Sequence, residues 1–128
     1  MSIKADRKNL TKCLSEVLPD DIEVLPYAPA VVTENIAYFE LKSIDPDKVF
    51  GSIKLTWDLT ITTSAKAKVK DQQRSLDLLT DTAIAAIVDA EAANLESVGE
   101  YFAIQEASNG AIYPATRLTF TSFTTIKE

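Results

Sequence analysis

From Ser52 to Thr63 apolar side chains at Ile53, Leu55, Trp57, Leu59 and Ile61 alternate with polar ones at Lys54, Thr56, Asp58, Thr60 and Thr62. Successive residues of a strand point to opposite faces, so the pattern predicts a β-strand with one face buried and one in water. A single strand is not stable alone; it needs neighbours along its edges and a second layer over its apolar face. At about 3.3 Å per residue it would run to roughly 40 Å, more than a small domain covers, so one end is expected to project as a hairpin or arm.

The flanking segments supply the second layer. Between Ile3 and Leu18, the residues Leu10, Cys13, Leu14, Val17 and Leu18 fall on one helical face, and Pro19-Asp20-Asp21 ends that helix. A short strand follows at Ile22, Glu23 and Val24, and the two prolines of Leu25-Pro26-Tyr27-Ala28-Pro29 restrict the next stretch to an edge or a loop. Asn35 to Leu41 reads as a second strand, broken from Ser43 to Asp47 with Asp45-Pro46 as the turn signal. After a basic connector, Ala65 to Lys70, a helix begins at Asp71 with a stripe of Leu76, Leu79, Ala83, Ile87 and Ala90, ending near Ala92 or Asn94. The remainder reads as a hairpin: Tyr101 to Glu106, an Asn109-Gly110 turn, and a strand holding Leu118, Phe120 and Ile126.

The predicted fold class is α+β: a largely antiparallel mixed sheet, two main helices on one face, and the order α-β-β-β-α-β-β. No repeat, low-complexity tract or linker divides the 128 residues, so a single domain spanning 1–128 is expected. The start, Met1-Ser2-Ile3-Lys4, runs into a charged amphipathic stretch with no secretory h-region, and no apolar run reaches the roughly 20 residues that span a bilayer. The expectation is a cytosolic protein with no membrane partner.

Function classes narrow by residue type. Histidine is absent, which removes the commonest general base and the usual zinc and haem ligands. Cys13 is the only cysteine, so no intrachain disulfide forms, and its place on the apolar face of the first helix suits a small hydrophobe better than a reactive thiol. Gly51, Gly99 and Gly110 are scattered, so no phosphate-cradling loop is readable. Asp45-Pro46-Asp47 is too short for a calcium loop. These observations give no catalytic residue, no metal ligand and no cofactor, and point to a protein that works by contacting other proteins.

Charge is segregated. Lys66, Lys68, Lys70 and Arg74 cluster where the long strand exits, whereas Asp77, Asp81, Asp89, Glu91, Glu96, Glu100 and Glu106 follow with no Lys or Arg before Arg117. With net charge −6 and no aromatics interleaved with the lysines, nucleic-acid binding is disfavoured as the main role. Asp77 and Asp81, four apart on a helix, suit the macrodipole of a helix start better than acid–base chemistry without a third group. Trp57 shares the register of Ile53, Leu55, Leu59 and Ile61 and reads as core, and some of Tyr27, Tyr38, Tyr101 and Tyr113 are expected at an interface.

The chain resembles the tail terminator, or tail completion, proteins of long-tailed bacteriophages, the group that includes the lambda tail terminator. The resemblance spans nearly the whole chain and rests on its size, the helix leading into Val24-Leu25-Pro26-Tyr27, the strand Ile53 to Ile61, the helix containing Leu76-Asp77-Leu78-Leu79, and the closing run from Tyr113-Pro114-Ala115 to Phe120. It implies a homo-hexameric ring on the last ring of the tail tube, either formed beforehand or assembled from monomers only when the tube end is present, that stops tube growth and meets the head connector. It also implies a place at the head–tail interface of the virion after assembly in the host cytoplasm, with DNA passing through without specific binding. Lys66, Lys68, Lys70 and Arg74 are then candidates for contact with tube or connector, and Asp77, Asp81, Asp89, Glu91 and Glu96 for an acidic lumen. An alternative is the acidic dimeric secretion chaperone of the type III kind, which binds an unfolded partner segment; the chain departs from it by ending in Ile126-Lys127-Glu128 after a strand, without a closing helix. A small enzyme using carboxylates alone would need a pocket with two convergent carboxyls of raised pKa.

Overall fold

The computed structural model describes residues 2–47, 51–66, 68–106 and 110–125. The chain folds as α1 (Ile3–Ser15), β1 (Glu23–Leu25), β2 (Ile36–Pro46), β3 (Ser52–Thr62), α2 (Val69–Asp89), β4 (Asn94–Val98), β5 (Phe102–Gln105) and β6 (Ile112–Thr125). The strands form one six-stranded sheet in the order β1-β2-β3-β6-β4, with β5 also pairing β6. All pairings are antiparallel except β1 with β2. The α+β class, the two helices and the predicted order hold, with one strand more than the alternation revealed: β4, whose five residues are all exposed and which carries no apolar rhythm.

α1 begins at Ser2, whose hydroxyl accepts a bond from the Ala5 N–H at 3.1 Å and so satisfies one of the free donors of the first turn. It is shorter than expected: regular helix stops at Ser15, and a last turn closed by Leu18 N–H to Leu14 C=O carries the chain to Pro19. Leu10, Leu14 and Leu18 are buried as predicted, but Cys13, within the helix, is only half-buried and the last turn leaves Val17 50% exposed.

The predicted break from Ser43 to Asp47 is instead a continuation of β2. A bulge between Leu41 and Ser43 absorbs one residue and pairing resumes as far as Pro46 opposite Ile53. Proline is tolerated there because Asp47 N–H bonds to Ser52 C=O, which directs alternate N–H positions toward β3 and the Pro46 nitrogen toward the unpaired edge. At the Ser52 end, where a projecting hairpin or arm is expected from the sequence, β3 is paired to β2 on one side and to β6 on the other. Exposure rises toward that end, where Ile44 is 51% and Phe123 48% exposed.

Ala37 and Phe39 of β2, Leu55, Trp57, Leu59 and Ile61 of β3, and Leu118 and Phe120 of β6 meet Leu10, Leu14 and Leu18 from one helix and Leu79, Ala83, Ala86 and Ile87 from the other. Each large side chain buried here contributes roughly 1.5–3 kcal/mol. Trp57 satisfies its one polar group by donating to Ser122 Oγ at 2.9 Å, and Ser122 donates in turn to Asp6 Oδ2 at 3.3 Å, tying α1 to β6.

The opposite face of β3 is not uniformly wet as its composition suggested, since Asp58, Thr60 and Thr62 are buried. Their polar atoms are satisfied by neighbours: Arg117 Nε donates to Thr60 Oγ1 at 3.3 Å, the Thr119 hydroxyl donates to Asp58 Oδ1 at 2.8 Å, and the Thr62 hydroxyl donates to Thr33 C=O at 2.8 Å. The β5–β6 hairpin is closed by Gly110 N–H to Glu106 C=O, with Gly110 at φ +70, where a side chain would be strained. The predicted turn residue Asn109 and strand residue Ile126 lie outside the described residues.

Candidate interaction site

α2 and the residues at its two ends carry the predicted charges apart from Glu96, in an order that opposes the helix dipole. Its N-cap is Lys68, which makes no capping bond, and Lys66, Lys70 and Arg74 crowd the same positive end, with Asp71 the one acid of the first turn. At the negative end stands Asp89, the last helical residue, followed by Glu91, and the last turn holds no basic residue. Cations belong at a helix C-terminus and anions at an N-terminus, and each misplaced charge costs roughly 0.3–1 kcal/mol at low ionic strength. Glu91 adds strain of its own, since it adopts φ 55 so that Glu91 N–H can reach Val88 C=O and Ala92 N–H can reach Ile87 C=O. Nothing in the stability of this helix accounts for such a layout.

The cationic end adjoins an apolar groove of about 330 Å³ whose walls include Ala65, Val69, Leu76, Phe102, Ile112 and Pro114. Val69 is 68% and Ile112 52% exposed, so the groove opens to solvent, and Lys68 and Lys70 flank its lining residue Val69 in the sequence. Tyr101, in the gap between β4 and β5, lines the same groove and donates its hydroxyl to the Asp77 carboxylate. Burial pushes the Tyr101 phenol above its usual range, and the bond to Asp77 and the charge of Asp81 push the same way.

The structure thus joins Lys66, Lys68, Lys70 and Arg74 around one end of α2, holds Asp77 by Tyr101, and puts Asp81 one turn further on. Asp89 and Glu91 lie at the far end and Glu96 on β4, all of them exposed. These acids form a flank rather than a pocket. A separate hollow of about 520 Å³ does bring Asp6 and Glu91 to one lining, with Asn9, Asn94 and Ser122. Burial holds the Asp6 carboxyl above its usual range and the Ser122 hydroxyl partly offsets this.

Sequence reasoning missed a second groove, of about 410 Å³, between α1 and the turn after β1, lined by Lys4, Arg7, Lys8, Lys12, Pro26 and Tyr27 among others. Arg7 donates to Pro26 C=O at 2.6 Å and Phe39 C=O at 3.4 Å, and its guanidinium lies between the rings of Tyr27 and Trp57, 4.2 and 4.9 Å from their centroids. The fourfold spacing of Lys4, Lys8 and Lys12 was visible; the stacking against Tyr27 depends on chain reversal and was not. Among the described residues no cluster of three or more His, Cys, Asp or Glu side chains is placed to hold a metal ion. No helix among them is long and apolar enough to cross a membrane. Compared with known proteins, the chain matches no protein-family model and no curated protein.

Proposed function

We propose that the protein is a bacteriophage tail terminator: a ring that caps the tail tube, stops its polymerisation and offers its other side to the head connector. The observation that carries this reading is the charge order of α2, which works against the helix and is therefore explained by something outside it. Lys66, Lys68, Lys70 and Arg74, beside an open apolar groove, suit contact with the tube or connector protein. Asp77, Asp81, Asp89, Glu91 and Glu96 suit a lumen wall that repels phosphates, so that DNA slides past without sticking. The sequence resemblance adds the ring and its position in the virion.

The test is native mass by light scattering, with and without purified tail tubes, followed by negative-stain imaging. A sixfold ring with an open centre, alone or recruited by tube ends, is the expected result. A tight dimer that ignores tubes would replace this reading with the acidic secretion chaperone, and a monomer that tubes do not recruit would remove it.

A further inference from the structure

The two edges of the sheet are chemically unlike. At the β1 edge, the groove under α1 is lined by four cations, Lys4, Arg7, Lys8 and Lys12, and by no carboxylate. Its floor is preformed, because Arg7 is held by two backbone carbonyls and two aromatic rings, which leaves Lys4, Lys8 and Lys12 as its free charges and Tyr27, 61% exposed, as its apolar wall. At the other edge, every residue from Asn94 to Tyr101 is exposed. That segment holds two acids, Glu96 and Glu100, among irregularly spaced apolar side chains at Leu95, Val98 and Tyr101, which are 38%, 43% and 38% exposed. The one base on the strand beside it, Arg117, donates to Thr60 and stacks on the Phe102 ring, and no Lys or Arg lies between Arg74 and Arg117 in the sequence.

We infer that the β4 edge of one copy docks in the α1–Tyr27 groove of the next. The occupant is a second copy because this chain itself supplies the acidic and apolar segment that the groove's charge and exposed ring complement. The contact runs through side chains rather than by sheet extension: the register shift between Leu95 and Ser97 bulges β4 at Glu96, and a bulged, charged edge resists strand pairing. β1 and β4 are the two ends of the strand order, so the contact is head-to-tail, and it closes into a ring or runs on as a filament. It rests on the terminator reading only in naming how that ring's copies would meet, and it assigns Glu96 to that contact in place of the lumen wall, which Asp77, Asp81, Asp89 and Glu91 would still line.

Two variants test it, both altered at exposed positions: Lys8→Glu with Lys12→Glu, and Glu96→Lys with Glu100→Lys. Light scattering over a concentration series should show wild-type self-association that weakens with added salt, and at least a tenfold weaker association for either variant alone. Mixing the two variants should restore association, because each acidic groove then meets a basic edge. Wild-type behaviour in either variant, a mixture that stays monomeric, or a wild type that stays monomeric both alone and with tail tubes would overturn the inference. Variants that still form rings on tail tubes would overturn it while leaving the terminator reading standing. Association by this route without affinity for tubes would support it while removing that reading.

Discussion

The two helices cover the same sheet face, yet they treat their dipoles in opposite ways. α1 has a serine cap, an acid at Asp6 in its first turn and a base at Lys12 in its last. α2 has an unproductive lysine cap, bases at its start and acids at its end. Local electrostatics stabilises the first helix and opposes the second, whose persistence rests on burying Leu76, Leu79, Ala83 and Ile87. Packing decides that a helix forms, which leaves its solvent-facing charges free to serve another purpose.

The largest separation between packing and charge is expected from Leu14→Ala, which empties a fully buried site and should cost about 2–5 kcal/mol in urea denaturation. Leu78→Ala, on the 65% exposed side of α2, should stay within about 0.5 kcal/mol. Glu91→Gly should stabilise the protein by about 1 kcal/mol by relieving the left-handed residue that closes α2; no gain would mean that Glu91 makes a compensating contact. Cap exchange should act with opposite signs, Ser2→Ala costing about 1 kcal/mol and Lys68→Ser gaining a similar amount, measured by the same titration.

Asp6 is the exception within α1. Its folded pKa lies above the ordinary 3.8, so the native state holds the proton longer than the unfolded chain, and its contribution to stability falls as pH rises from near 3.8 through the raised value. The stability of wild type relative to Asp6→Asn should therefore decline across that window and level off above it; a difference that rises with pH would reverse the assignment. Asp89→Lys should give a small, salt-sensitive effect, a gain of roughly 0.3–1 kcal/mol at low salt that is lost at 1 M salt, where the Debye length is about 3 Å.

Strong periodicity was legible wherever it existed. The alternation from Ile53 to Ile61 located β3 and placed Trp57 in the core, and the Leu76–Ile87 stripe oriented α2. β4 escaped notice because an exposed edge strand has no apolar rhythm; it is held by backbone bonds to Leu118 and Thr119–Thr121, not by its own side chains. Pro46 suggested a break because one residue cannot reveal that its nitrogen faces an unpaired edge. Of the candidate site, the segregated charges could be read directly, whereas the apolar grooves beside them were invisible, since each is assembled from segments distant in sequence.

The sequence by itself determined the class of fold, the face of each main element that is buried, the absence of histidine chemistry and the segregation of charge, because these follow from residue type and periods of 2 and 3.6. Tertiary structure alone decided that Thr60 and Thr62 are buried, that Arg7 lies between Tyr27 and Trp57, and that an acidic edge and a basic groove stand at opposite ends of one sheet. Burial, stacking and edge position are properties of neighbours, and neighbours distant along the chain are chosen by how strands pair and layers pack.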